Sequence, residues 1–596
     1  MKQNVFLSQK YFIFKLTDML NNSFHILEEK RQESLQLVIE LCIDTYEEMN
    51  STPIGKEKLQ KAYSGLVASL AYQLSRHPFR KLEMFQSDFA KIRESIESSD
   101  KSYELYMSMK SLKKKIKNQH IGECYFLCLQ DALGYREIDI LIEALVSDWL
   151  YIGYSLYYLN ERYQKIRNKQ FFSDLESEDI HSYIEKICML NGEYGDYRVI
   201  IPYQVNSDTQ REYADRLLEG NFEIKKQEDF IFDDNQWIWK EGNYASKTYK
   251  ATDLYKAIMM AKKEFSNVQE LFDMWQNTSN IIKSNKIYGC IIDERLEKFD
   301  SRKLDNTKLI NYFDKRRKEQ IMKFISLKNR MQNDDVDTLE RILHMLHTAK
   351  SYNIQNRFLN FWSALEYIIY PVPKNSIIEK ARTIVPAAFC LYYVKNKMNI
   401  FWERLSYSLK TKAERYPECK RFLEICKEDQ DYNVKKMIAF LQDKNKYEKV
   451  LDDISFHLIL EREMRELIML LTEPKKIVKT LKDYSEEIVN DLNSIYRLRN
   501  QVIHSSKGME DKLEYISLRL YRYVNSLVST ILYYKEKNAD TSIIEILNSI
   551  QTTYQVYMEY LNCLCGEVKK GKEANGKIVT VENGYKIVRP KYIFLE

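Results

Sequence analysis

The sequence predicts a mainly α fold: a helical N-terminal region, a small α+β module, and a C-terminal helical bundle followed by a tail with a β-hairpin. Apolar residues recur at the three-to-four-residue spacing of a helix over most of the 596 residues. Fifteen glycines and nine prolines make up about 4% of the chain, against a usual share of about 12%, so few positions favour a turn. These observations exclude a turn-dense all-β protein and a Gly/Pro-rich disordered one.

The N-terminal region covers 1–175. Its apolar positions keep helical spacing with charged residues between them, and it contains very little proline or glycine. We therefore expect this region to be entirely helical.

The α+β module covers 176–330 and differs in composition from its neighbours. Helical spacing returns only over two segments, near 179–190 and 253–275. Runs of β-branched and aromatic residues predict strands over 197–205, around 222–232 and over 287–292.

The C-terminal bundle, 331–560, returns to long helical patterns. Its expected loops contain proline, or serine with glycine, and lie at Pro371–Pro373, Pro417, Pro474 and Ser505–Gly508. The tail, 561–596, alternates apolar and polar residues on both sides of Asn583-Gly584, which is the strongest short signal for a β-hairpin.

Charge and cysteine content narrow the class of protein. Lysine and arginine number 91 and aspartate and glutamate 86, and the net charge of +5 is too small to indicate a polyanion partner. The ten cysteines form no CxxC pair and follow no secretory signal, so we expect reduced thiols in a cytoplasmic protein. The longest apolar runs, 149–159 and 384–394, are shorter than the ~20 residues that span a bilayer, so no membrane partner is expected.

Several motifs resemble cofactor or metal sites but lack a necessary part. The run Gly566–Glu573 matches a phosphate-binding P-loop except that Glu573 replaces the final Ser or Thr, and a flexible linker is the better interpretation. Glu340, His344 and His347 have helical spacings that could gather metal ligands, but exposed histidines are commoner than ligands. Three Asp-Asp pairs lack a third carboxylate at a fixed spacing. We expect no cofactor and no metal.

One helical segment places an arginine where an apolar side chain is expected. The apolar residues of 485–504 fall on one stripe of a helix: Ile488, Leu492, Ile495 and Val502. At 100° per residue, Arg499 falls in the middle of that stripe. Because burying an unpaired guanidinium costs several kcal/mol, Arg499 needs a carboxylate partner, a wet groove or a bound anion. Arg497 is expected on the opposite, exposed face.

His504 lies at the end of the same segment. A continuing helix would turn His504 140° away from Arg499, but Ser505–Gly508 supplies turn and stop residues. We therefore expect the helix to end near His504, which lets the chain redirect the imidazole towards Arg499. A second amphipathic helix completes an antiparallel pair, with a stripe of Leu513, Ile516, Leu520, Val524, Leu527 and Ile531.

These residues resemble a known signature. Arg499-Asn500-x-x-x-His504, at the junction of two late helices, is similar to the R-N-x(3–5)-H motif of HEPN-domain ribonucleases. Upstream, Arg357–Glu366 resembles the early helix of the ApeA-like branch, which is common in bacterial abortive-infection and anti-phage proteins.

The resemblance covers about 335–535, and 1–330 is only loosely like the variable N-terminal regions of that branch. Arg341 and His347 also meet the loose Arg-to-His spacing. They lack the asparagine, lie within a helix and have no following turn, so position and context favour Arg499 and His504.

The resemblance implies metal-independent cleavage of RNA. His504 would move a proton at the attacking 2′-hydroxyl or at the leaving 5′-oxygen, and Arg499 would clamp the phosphate as negative charge builds. Asn500 would orient the phosphate or the histidine. Family members commonly build the active centre from two facing protomers, so a homodimer is expected. The family often has an acidic residue near Glu366, which is either an ion-pair partner of Arg499 or a carboxylate that faces water.

The main hypothesis is a cytoplasmic HEPN endoribonuclease of anti-phage, abortive-infection defence. It would cut host or viral RNA, with tRNA as one candidate, and its N-terminal regions would hold it inactive until a phage-derived trigger appears. The alternative is a non-catalytic HEPN-like sensor or scaffold that binds a phage protein, RNA or a nucleotide. A metal-dependent nucleotidyl transferase is a third class, which the missing P-loop and the unorganised carboxylates oppose.

Overall fold

Helices carry most of the chain. The computed structural model describes residues 2–21, 33–51, 56–98, 102–130, 134–168, 177–190, 194–205, 208–226, 243–276, 282–292, 295–301, 308–349, 354–374, 376–410, 413–428, 431–455, 457–504 and 510–575. Of these, 81% are helical and 9% lie in strands, which confirms the predicted mainly α fold. No helix in these ranges is both long enough and apolar enough to cross a membrane.

Every secondary-structure element that the structure describes in the N-terminal region is a helix, as predicted. Its helices are α1 (Lys2–Asn21), α2 (Leu35–Ser51), α3 (Lys56–Arg76), α4 (Glu83–Glu97), α5 (Ser102–Lys117), α6 (Ile121–Gln130), α7 (Tyr135–Ile152), α8 (Leu156–Asn168) and α9 (Ser177–Cys188). Each buries the stripe that its apolar spacing defines; in α4, for example, Phe85, Phe89 and Ile92 are buried.

The sheet module is a six-stranded antiparallel sheet with two helices. Its elements are β1 (Gly195–Val205), α10 (Asp208–Glu219), β2 (Glu223–Lys226), β3 (Asn243–Ala251), α11 (Leu254–Gln276), β4 (Ile282–Ser284), β5 (Ile287–Ile292) and β6 (Arg295–Asp300). The strand order is β2-β3-β1-β5-β6, and β4 pairs with the end of β1. Side chains of β1, such as Val199 and Ile201, and of α11, such as Ile258, share a core separate from that of the long helices.

The C-terminal bundle follows. Its helices are α12 (Lys308–Leu327), α13 (Asn333–Thr348), α14 (Ile354–Ile369), α15 (Ile377–Leu409), α16 (Pro417–Cys426), α17 (Val434–Gln442), α18 (Lys444–Ile454), α19 (Leu458–Thr472), α20 (Pro474–His504), α21 (Glu510–Lys537) and α22 (Ile543–Asn575), with a short pair of strands, β7 (Lys427–Glu428) and β8 (Asp431–Tyr432). Breaks between helices fall at Pro371–Pro373, Pro417 and Pro474, as predicted; Ser505–Gly508 lies outside the described residues.

One hydrophobic core joins the N-terminal helices to the C-terminal bundle. Polar contacts cross the same boundary: Arg462 pairs with Asp139 at 3.1 Å, and Arg76 pairs with Glu487 at 2.9 Å. The sheet module is narrower than its predicted range of 176–330, because α9 packs into the helical core and α12 packs on α21. The sheet and its two helices occupy 195–301.

The end of the chain differs from the prediction in one respect. The P-loop-like run Gly566–Glu573 is not a flexible linker, since α22 continues through it to Asn575. Its residues have enough helix propensity to extend the preceding helix despite Gly566 and Gly571. The predicted hairpin about Asn583-Gly584 lies outside the described residues.

The cysteines are free thiols, and all but two are buried. Burial raises the pKa of Cys188, Cys419 and Cys426 to about 12 in each case. These thiols therefore stay protonated at neutral pH and are poor nucleophiles.

The burial of His77 leads us to expect that acid lowers the free energy of unfolding. The Nδ1 of His77 accepts a hydrogen bond from the backbone N–H of Phe79 at 3.2 Å, and its Nε2 lies 3.5 Å from the hydroxyl of Tyr125. Burial lowers the pKa of His77 to about 3, because a charged ring would lose its hydration. A histidine in the unfolded chain titrates near 6.5, so acid protonates the unfolded state first.

We therefore expect His77 alone to lower the free energy of unfolding by about 2 kcal/mol between pH 7.5 and pH 5.0. Stability is retained above pH 6.5 and is lost progressively as the pH falls towards 3. Urea unfolding at both pH values checks this: His77→Gln should show a pH dependence smaller by that amount, and the exposed His120→Gln should not. Equal pH dependence in His77→Gln and wild type would contradict the assignment.

Candidate functional site

The site is built on α20, which other helices cover on two sides. Within the bundle α20 packs against α15 and α22 and contacts α14, and its other side packs against α2 and α3 of the N-terminal region. The predicted apolar stripe faces the bundle: Ile488, Leu492 and Ile495 are buried and Val502 is half-buried. The stripe predicted for α21 is buried along its whole length.

The prediction that Arg497 projects into solvent is wrong. Its side chain is 2% exposed, and its guanidinium forms an ion pair with Glu48 of α2. The apolar stripe identified only the bundle-facing side of α20, whereas N-terminal helices cover the opposite side. The burial of Arg497 thus comes from residues more than 400 positions away in the sequence.

A polar stripe on α20 makes the contact with the N-terminal helices. Asn490 accepts a hydrogen bond from the hydroxyl of Ser69 at 2.9 Å, and the side-chain amide of Asn493 donates to the backbone carbonyl of Gly65 at 3.0 Å. A Cβ atom at Gly65 would lie 2.6 Å from Nη2 of Arg382, so glycine permits this close approach. The stripe of Asn490, Asn493, Arg497 and Gln501 recurs at helical spacing and is a signal that the sequence prediction missed.

Arg499 lies on the bundle side, as predicted, and its side chain is 26% exposed. Its Nη2 lies 3.6 Å from Oε1 of Glu366 on α14, so of the two alternatives that the sequence left open for Glu366 the structure has the ion pair. Its Nη1 donates a hydrogen bond to Oδ1 of Asn500 at 3.2 Å. Its Nε is buried and makes no hydrogen bond within the described structure. The guanidinium is therefore oriented by two neighbours but not fully satisfied by them.

The contacts between α14 and α20 give their relative direction. The rings of Trp362 and Tyr496 lie 5.7 Å apart between centroids, and one turn later Glu366 meets Arg499. Residue numbers rise together along both helices, so the two run in the same direction here. One turn beyond this ion pair, α14 leads to Tyr370 and α20 ends at His504.

His504 is the last described residue of α20, five residues beyond Arg499. At 1.5 Å per residue its backbone lies about 7.5 Å further along the helix axis. Its side chain and the Ser505–Gly508 turn lie outside the described part of the chain. The structure thus brings Arg499, Asn500 and Glu366 together and places the backbone of His504 at the same end of the helix pair.

The residues of α13 that also matched a metal-ligand spacing or the Arg-to-His spacing have other partners or face solvent. Glu340 pairs with Lys328, and Arg341 donates a hydrogen bond to the hydroxyl of Tyr367 on α14. His344 and His347 are exposed, with His347 in the last turn of α13. Among the residues that the structure describes, no group of three His, Cys, Asp or Glu side chains could hold a metal ion.

No family model, curated protein or solved structure matches the chain. The resemblance to HEPN ribonucleases therefore depends on the motif residues of α20 and on the early helix α14. A half-buried guanidinium such as that of Arg499 can bind a phosphate, and an imidazole such as that of His504 can transfer a proton.

Proposed function

We propose that the protein is a metal-independent endoribonuclease of HEPN type that acts in anti-phage, abortive-infection defence. Its substrate is RNA, with tRNA as one candidate, and it works as a homodimer in the cytoplasm. Arg499 clamps the scissile phosphate, His504 serves as acid or base, and Asn500 and Glu366 position Arg499.

The main support for the proposal is that the guanidinium of Arg499 is only loosely bound by its neighbours. Its distance of 3.6 Å from Glu366 exceeds a hydrogen-bond length, so the carboxylate holds the guanidinium loosely. Its Nε is buried and makes no hydrogen bond within the described residues, so the neighbours of the guanidinium do not satisfy all its donors. A phosphate that binds Arg499 would gain charge-assisted hydrogen bonds without first breaking a tight bidentate ion pair.

The reaction needs only these groups, solvent water and the substrate itself. The 2′-oxygen of a ribose attacks the adjacent phosphorus as its proton leaves, and the bond from phosphorus to the 5′-oxygen breaks as that oxygen takes up a proton. The products are a 2′,3′-cyclic phosphate and a 5′-hydroxyl. His504 transfers one of these protons and solvent water exchanges the other, while Arg499 stabilises the negative charge that builds on the phosphate oxygens.

Restraint by the N-terminal region is part of the proposal. The polar stripe of α20 binds α2 and α3, and Arg497 in that stripe is only two residues from Arg499. A trigger that moves these N-terminal helices would therefore displace the helix that carries the catalytic residues. The trigger proposed here is a phage-derived component, as the family resemblance implies.

Analysis of cleavage products tests the reaction class. The purified full-length protein, incubated with total RNA or tRNA in excess EDTA, is expected to yield fragments with 2′,3′-cyclic phosphate and 5′-hydroxyl ends. Because the protein can be restrained, the assay includes extract from phage-infected cells as a source of trigger. Cleavage that requires a divalent metal, or fragments with 3′-hydroxyl ends, would contradict the proposal. RNA binding without any cleavage would support the non-catalytic sensor instead.

A further inference from the structure

Two tyrosines at the end of α14 are each held by a cation from another helix. The guanidinium of Arg341 on α13 donates a hydrogen bond to the hydroxyl of Tyr367 and lies 5.7 Å from its ring centroid. The ammonium group of Lys380 on α15 donates to the backbone carbonyl of Tyr370 and lies 5.0 Å from its ring centroid. Aromatic rings and cations thus alternate beside the candidate site.

Helical geometry places Tyr370 next to the ion pair of Glu366. The backbone N–H of Tyr370 donates to the carbonyl of Glu366 at 2.8 Å, so helical geometry continues through Tyr370. At 100° per residue, Tyr370 lies about 40° from Glu366 around the axis, between Glu366 and Tyr367, and about 6 Å further along it. Because α14 and α20 run in the same direction, this displacement is towards the end of α20 that carries His504.

Tyr370 is exposed but its backbone is fixed. Its side chain is 72% exposed, whereas Val372, two residues later, is buried. Pro371 and Pro373 restrict the backbone on both sides of Val372, and the N–H of Val372 donates to the carbonyl of Ile369 at 3.0 Å. An exposed ring on a rigid corner contributes little to the core, but it loses little conformational entropy when a flat ligand stacks on it.

The charges around the rings favour a polyanion. Over 366–382 the cations are Lys374, Lys380 and Arg382 and the carboxylates are Glu366 and Glu379. Arg341 and Arg499 reach this segment from α13 and α20. A net charge of +5 over the whole chain gives no general attraction for RNA, so a local excess of cations has to supply it. Bases stack on aromatic rings, while lysine and arginine contact the flanking phosphates.

We propose that Tyr370 is a base-stacking residue for single-stranded RNA, with Arg341 and Lys380 contacting the phosphates on either side. The assignment rests on the ribonuclease function proposed above, because the stacked base lies beside the phosphate that Arg499 clamps. A base must leave its helical stack to reach Tyr370, so the site selects single strands and loops over double-stranded RNA.

Fluorescence anisotropy with an uncleavable ligand tests this site independently of catalysis. The probe is a fluorescein-labelled 12-nucleotide single-stranded RNA with 2′-O-methyl groups, which has no 2′-hydroxyl to attack. Tyr370→Ala in the full-length protein is expected to raise its Kd about tenfold, and Tyr370→Phe, which keeps the ring, should stay close to wild type. Lys380→Gln and Arg341→Gln should each reduce the salt dependence of binding.

Tyr407 provides the matched control. It is also a tyrosine next to solvent, 79% exposed, but it lies on α15 about 40 Å along the helix from Lys380. Equal binding by the Tyr370→Ala and Tyr407→Ala variants would overturn the stacking site, even if the protein cleaves RNA. Absence of RNA binding by wild type would overturn it too. Binding that depends on Tyr370 in a protein that never cleaves RNA would retain the site and reject the ribonuclease function.

Discussion

Replacing His504 with alanine is expected to slow RNA cleavage by about 10²–10⁴-fold, the usual contribution of a positioned acid or base. The same range is expected for Arg499→Ala, because the transition state then loses the guanidinium that is proposed to clamp the phosphate. Arg499→Lys should recover little activity, since an ammonium group cannot present the two parallel donors of a guanidinium to a phosphate. The measurement is the single-turnover rate constant on a defined RNA, in EDTA.

The control for this prediction comes from α13. His347 is exposed and belongs to the alternative Arg-to-His spacing with Arg341, so His347→Ala should cleave RNA at the wild-type rate. Thermal unfolding midpoints that match wild type would show that the slow variants are folded. Loss of activity in His347→Ala with full activity in His504→Ala would move the site to α13 and reject the assignment to α20.

Local patterns determined most of what the sequence predicted correctly about the fold. The strand Ile287–Ile292 and the apolar stripe of α21 were both predicted, because each depends on neighbouring residues in one element. The strand β3 was missed, since its sequence, Asn243–Ala251, is rich in Asn, Ala, Ser and Lys, which have little preference for strands. Nine paired positions with β1 stabilise it instead, and such pairing cannot be read from a single segment.

In the candidate site, too, the sequence predicted what depends on nearby residues and missed what depends on distant ones. The sequence predicted that Arg499 needs a partner, because a guanidinium lies in an apolar stripe, but it left open whether Glu366 is that partner; the structure has the pair. The burial of Arg497 was not, because the residues that cover it belong to the N-terminal helices. A single stripe identifies one buried face of a helix and says nothing about a second face that distant parts of the chain cover.

A buried charge cluster links α20, α21 and the N-terminal region. Nη2 of Arg519 on α21 forms ion pairs with Asp491 on α20 and with Glu33, which precedes α2. The hydroxyl of Tyr523 also donates a hydrogen bond to Asp491. Burial by itself lowers the pKa of Arg519, but the two carboxylates outweigh it and raise the pKa above its ordinary value. Arg519 is thus the cation that compensates two carboxylates buried in the core.

Arg519→Ala is therefore expected to lower the free energy of unfolding by about 3–5 kcal/mol, because the buried Asp491 and Glu33 would lose the counter-charge that Arg519 supplies. Arg497→Ala is the matched control, since both arginines are 2% exposed but Glu48, the partner of Arg497, is 39% exposed. Water can solvate Glu48 once its partner is gone, so this loss should be clearly smaller. Urea unfolding followed by tryptophan fluorescence measures both variants, and equal losses would show that the bulk of the arginine, rather than the buried carboxylates, determines the effect. The double variant Arg519→Met with Asp491→Leu should recover part of the stability lost in Arg519→Ala. It removes one of the two carboxylates that Arg519 compensates, and its apolar side chains fill the space.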